Sequence, residues 1–163
     1  MKSRVSNKGD IGDQSEERLL DSQDEGLVWV RYINKDYGFS FDRPKLLNEN
    51  KLDDSGEYLL FVRFEENQNE HPSGIGLGVR KSTLVEEVDE LKKKLDRDFE
   101  VKLVSEHKEE IDGFDAVVLQ YEPKNKNILE LRSFLIVNNG EHSISISTVP
   151  DQIDRIITSF KFL

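Results

Sequence analysis

The chain has 163 residues, enough for one domain, and 36% of them are hydrophobic with nine Phe, so a modest core is available. Charged residues make up 34% and the formal net charge is -10, which repels a phosphate backbone and argues against a nucleic-acid partner unless basic side chains gather locally. There is no Cys, so disulfides, thiolate metal sites and a Cys nucleophile are excluded, and no apolar run reaches the roughly 18 residues of a membrane span.

Residues 1–26 are polar and acidic without periodicity, and such a segment buries too little surface to offset its ordering entropy. A disordered tail or tether is expected there, with a transient helical turn over Glu16 to Leu20 as the alternative. The opening residues carry charge but no apolar h-region, so they are no signal peptide. The protein is expected in the cytoplasm, or outside it if a signal or anchor once preceded Met1.

From Leu27 the pattern changes. Val28, Val30 and Tyr32 alternate with Trp29, Arg31 and Ile33, as in a strand. Asn34-Lys35-Asp36 turns the chain, and Tyr37 to Asp42 alternates aromatic with small or polar residues until Pro44. Residues 45–56 read as a polar connection. Tyr58, Leu60, Val62 and Phe64 line a third strand, residues 67–73 a loop, and Ile75, Leu77 and Val79 a fourth strand. Thr83 with Glu86 forms a capping box, and Leu84, Val88, Leu91 and Leu95 follow as the apolar stripe of a helix. Asp89 with Lys93 and Glu90 with Lys94 are spaced as ion pairs on its wet side.

The period then returns to two. Val101, Leu103 and Ser105 lead into a charged stretch, 106–110. Asp112-Gly113 marks a hairpin, and Phe114 to Tyr121 form its returning strand. Leu129 to Val137 form the next strand, Asn138-Asn139-Gly140 another hairpin turn, and His142 to Thr148 the strand after it. A last helix begins near Pro150, with Ile153, Ile156, Ile157 and Phe160 on its buried side. Strands joined by tight turns pair antiparallel, and two one-sided helices must bury their stripes on sheet faces. The expected fold class is therefore α+β, a central antiparallel sheet with helices packed on its faces, over 27–163.

Three stretches resemble the PsbP-like domain family. They are Tyr32 to Pro44, with its Tyr-Gly-Phe-Ser core; Ile111-Asp112-Gly113-Phe114-Asp115-Ala116; and the closing Ile156 to Phe162. Together they span Val28 to Leu163. Family members carry a Trp shortly after the Pro, where this chain has Leu46 and Leu47. The resemblance implies an α/β/α sandwich, the fold shared with Mog-type Ran-binding import factors. It also implies a binding or assembly module, since these motifs set turns and core aromatics and contain no catalytic residue.

Chemical motifs are sparse. Gly74-Ile75-Gly76-Leu77-Gly78 lacks the third Gly of a dinucleotide loop and the Gly-Lys-Ser/Thr of a P-loop; glycines on one strand face allow close approach of a helix or neighbouring backbone instead. Each His follows a Glu, which makes His71, His107 and His142 candidate metal ligands. Neighbours on a strand point to opposite faces, so no such pair chelates as a unit. Ser143, Ser145 and Ser147 share one face and read as a polar sheet surface. Lys92-Lys93-Lys94 with Arg97 reads as a solvated helix face. Trp29, Tyr32 and Tyr37 crowd the first hairpin, and an uncovered face there is the expected partner surface. The expectation is a non-enzymatic protein-binding or assembly module without cofactor. The alternative is a small-ligand or divalent-cation binder with a pocket between helix and sheet or among the acidic loops. An unrecognised hydrolase ranks last.

Overall fold

The computed structural model describes residues 19–20, 27–52, 56–66, 74–125 and 131–163. In chain order the elements are β1 (Leu19–Leu20), β2 (Trp29–Asn34), β3 (Phe39–Pro44), β4 (Asn48–Lys51), β5 (Leu60–Glu65), β6 (Ile75–Arg80) and α1 (Leu84–Asp98). Then come β7 (Val101–Ile111), β8 (Phe114–Pro123), β9 (Arg132–Asn138), β10 (Ser143–Thr148), α2 (Pro150–Ser159) and β11 (Lys161–Phe162). Apart from Leu19 and Leu20, which pair with Val30 and Trp29 as a strand and not as a helical turn, the expected N-terminal tail lies outside the described residues.

The strands form two antiparallel sheets where one was expected. Four strands run in the order β1-β2-β3-β11 and seven in the order β4-β5-β6-β10-β9-β8-β7. The first hairpin thus stands apart from the large sheet, and the last residues of the chain complete its sheet. Local turn chemistry accounts for the hairpins. Asp112 and Gly113 both adopt positive φ (53° and 83°), the backbone a two-residue primed turn requires, and β7 and β8 pair directly across it. At the β9–β10 turn the Asn139 carboxamide oxygen accepts the N–H groups of Glu141 and His142.

One core lies between the two sheets. It gathers Tyr32, Phe39 and Phe41 of the first hairpin, Leu77 and Ile146 of the large sheet, and Ile156 of α2. Leu47 is buried in it as well. The second core lies on the other face of the large sheet, where Val88 and Leu95 of α1 meet Val117, Leu119 and Tyr121 of β8 and Ile136 of β9. The Thr83 box is formed in both directions: the Glu86 N–H donates to the Thr83 hydroxyl and the Thr83 N–H to the Glu86 carboxylate. No helix among the described residues is long and apolar enough to cross a membrane.

Three stretches differ in the structure from what the sequence pattern alone conveys. Residues 45–56 are not only a connection, since Asn48–Lys51 pairs with β5 as β4. The charged stretch 106–110 continues β7 without a break, apart from a register shift between Leu103 and Ser105. The β3 strand does not alternate, because all six of its residues are buried.

Candidate functional site

The sequence-predicted site residues do not assemble into one site. Trp29 (3% exposed) and Tyr32 (1%) are buried and offer no partner surface. Tyr32 packs edge-on against Phe64 at 5.1 Å between ring centres, and the Arg155 guanidinium lies 5.3 Å over the Trp29 ring. Their aromatic surface is spent joining the hairpin to its surroundings. Tyr37, half-buried at the hairpin tip, donates its hydroxyl to the Leu59 carbonyl (3.2 Å) and meets the His142 ring edge-on at 5.5 Å.

His71 lies outside the described residues. His107 sits on β7 with its Nε2 3.2 Å from the Glu109 carboxylate, two positions on and so on the same strand face. Its sequence neighbour Glu106 bonds Lys92 of α1 on the opposite side of the sheet. His142 lies in the β9–β10 turn, its Nδ1 4.0 Å from Glu141. Among the described residues no group of three His, Asp or Glu converges to hold a metal ion.

Two surfaces among the described residues could meet a partner. The first is a cleft of about 510 Å³ where the N-terminal half of α1 diverges from the β7–β8 hairpin. Leu84, Val88 and Val117 form its apolar floor, and Val85, 69% exposed, stands on its lip. Asp89 and Lys92 from the helix and Glu106 and Lys108 from β7 make a rim of mixed charge. Among the described residues β7 pairs only with β8, so its outer backbone groups run along this cleft with no described strand beside them.

The second is the α1 side of β5, β6 and β10, which α1 meets through side chains such as Glu87 and Lys94. Register places Ser145 beside Gly78, and Gly78 beside Phe61, across β10, β6 and β5 on the α1 side of the sheet. The Tyr58 ring lies over Gly78, where an added Cβ would come within 2.9 Å of the ring, and Tyr58 stacks on Phe61 at 5.1 Å. The glycine thus admits a side chain, where approach by a helix or backbone was expected. Burial pushes the Tyr58 phenol pKa up, with Lys94 opposing it and Glu57 and Glu87 adding to it. The three serines are not simply a wet polar face. Ser143 is buried and donates to the Ser82 carbonyl (3.1 Å), and Ser145 donates to the Glu87 carboxylate (3.1 Å). The α1 N-terminus is therefore tied to β10 by hydroxyls, which periodicity alone did not reveal.

No protein-family model matches the chain, and no curated protein matches its sequence. Solved structures do. Cyanobacterial PsbP (CyanoP) from Synechocystis aligns with a TM-score of 0.61 at 14% identity, over 88% of this chain and 98% of that one. A Pseudomonas aeruginosa protein of unknown function aligns at 12% identity with a TM-score of 0.38, over 85% of this chain and 86% of that one. A Bacteroides thetaiotaomicron protein aligns at 13% identity with a TM-score of 0.38, over 82% of this chain and 48% of that one. The alignment with cyanobacterial PsbP covers most of both chains, and the chain has a PsbP-like fold.

Proposed function

We propose that this chain is a non-enzymatic protein-binding module that docks a partner segment along the α1–β7 cleft. The layers are those of an α/β/α sandwich in this reading, with α1 outermost on one side and the small sheet with α2 on the other. The observation that carries the reading is an apolar floor open to solvent beside a strand edge that no described strand covers. Floor side chains supply contact area, and the edge supplies main-chain hydrogen bonds to an extended peptide. The test is a photo-crosslinking residue at Val85, with one at exposed Lys45 as control, in cells of the source organism. A discrete adduct from position 85 alone is expected, and Val85→Glu should lower capture by about tenfold, since a charge on the lip must be desolvated when a partner covers it. No adduct, or the same adduct from both positions, refutes the reading.

A small-ligand reading rests on the same cleft, whose volume of about 510 Å³ falls among those of ligand pockets. A ligand seated there would raise the melting temperature and block the Val85 crosslink.

A further inference from the structure

The α1 side of the large sheet collects cations in a chain whose formal net charge is -10. The Arg80 guanidinium lies 5.5 Å over the Tyr58 ring and the Lys94 ammonium 5.9 Å over the same ring. Arg63 lies 5.9 Å over Phe61. Arg132 donates to Ser147 (2.8 Å) and to the Gly74 carbonyl (3.0 Å) at the adjoining end. Four cationic side chains from β5, β6, β9 and α1 therefore meet on one face around a stacked aromatic pair.

Two of them are already balanced or held. Arg80 faces Glu87 at 3.6 Å and Glu57 at 4.0 Å, and Arg132 is engaged by its hydrogen bonds. Arg63 and Lys94 make no ion pair among the described residues; each rests on a ring instead. A cation held over an aromatic face loses fewer rotamers on meeting an anion than one free in solvent. The small residues Gly76 and Ser147 leave the floor beside them low, with solvent reaching both.

We propose that this face docks an acidic segment of a partner protein, with carboxylates seated on Arg63 and Lys94. The ring faces are already occupied, by each other and by the cations, so bases have no free platform on which to stack. The carboxylates of Glu57 and Glu87 also oppose a continuous phosphate backbone. Separate carboxylates on a flexible peptide can avoid those two groups, which favours an acidic peptide over a nucleic acid. This surface is distinct from the α1–β7 cleft, and the proposal stands or falls independently of that one.

The experiment is fluorescence anisotropy with a short labelled polyglutamate peptide on the full chain, with polyglutamine and an oligothymidylate of equal charge as comparisons. Polyglutamate is expected to bind, more weakly as salt rises. Arg63→Glu with Lys94→Glu should weaken binding by about tenfold or more, as charge reversal at two contacts does. Lys45→Glu, on the first hairpin's side of the molecule, should change it less than about twofold. Arg63→Gln with Lys94→Gln gives the same direction if the reversal disturbs folding, with the melting temperature as control. Val85→Glu should leave the affinity unchanged, which separates this proposal from the cleft. Failure of polyglutamate to bind, equal binding of polyglutamine, tighter binding of oligothymidylate, or indifference to both double variants each overturns it.

Discussion

Asp42 carries more of the first hairpin than its place in an alternating strand suggests. Its side chain is 5% exposed and bridges Arg31 of β2 (2.6 Å) and Arg155 of α2 (3.1 Å), one carboxylate oxygen to each. Its own N–H donates to the Ser159 hydroxyl at 2.9 Å. One residue thus ties both strands of the hairpin to the last helix. Asp42→Asn keeps the shape but removes the carboxylate that the two guanidinium groups share, a loss expected at about 2 kcal/mol because both arginines remain partly hydrated. Urea denaturation checks this, and stability equal to the parent would make the bridge ornamental. The sequence shows why Asp42 was missed. Period-two patterning assigns a charged residue to the wet face, and nothing local announces two arginines, one of them more than a hundred positions away, converging on it. Trp29 and Tyr32 were misplaced for the same reason. An aromatic hairpin signals that area will be buried but not what covers each face.

Elements were legible in proportion to how local their causes are. The α1 cap needs only Thr83 and Glu86, and the β7–β8 turn only Asp112 and Gly113, so both were readable. The β4 strand was not, because Asn48-Glu49-Asn50-Lys51 is polar throughout and is held in place by the neighbouring β5. The glycine-rich stretch 74–78 leads into and forms the start of β6, and the structure gives its glycines unequal duties. A Cβ on Gly74 would lie 2.3 Å from the Phe64 carbonyl oxygen, a backbone atom that cannot swing away. On Gly78 it would meet the Tyr58 ring at 2.9 Å, and on Gly76 only the Ser147 hydroxyl at 3.1 Å. Alanine substitutions should therefore rank in that order. The expected losses are about 3 kcal/mol at Gly74, about 1 kcal/mol at Gly78 and near zero at Gly76. Thermal or urea midpoints of the three variants decide it. A Gly76→Ala loss as large as that of Gly74→Ala would mean that backbone proximity is not what these positions serve. Gly78→Ala should also loosen the Tyr58 ring, and with it the seats of Lys94 and Arg80.

At the scale of the molecule, the split into two sheets was beyond reach from sequence, because it depends on which strands the first hairpin meets after folding. Turn residues fix pairs of neighbours, but partners distant in sequence are chosen by packing. The C-terminal strand makes that choice visible. Lys161 and Phe162 pair with Ser40 and Phe39, and the Leu163 N–H donates to the Gly38 carbonyl at 2.9 Å. Phe162 also packs edge-on against Phe114 of β8 at 4.5 Å, and its N–H donates to the Asp112 carboxylate at 2.8 Å. Three residues thus clasp the tip of the first hairpin to the β7–β8 turn, closing a long chain loop whose entropy is lost only once the other elements are in place. Ending the chain at Phe160 should cost about 3 kcal/mol, since it removes a packed aromatic and three main-chain pairings together. The loss should be uneven. Amide exchange is expected to quicken first over residues 35–44 of the first hairpin, while β8 and β9, packed on both faces, keep their protection. Equal acceleration in both sheets would mean that the two unfold as one unit and that the clasp is not what holds the small sheet in place.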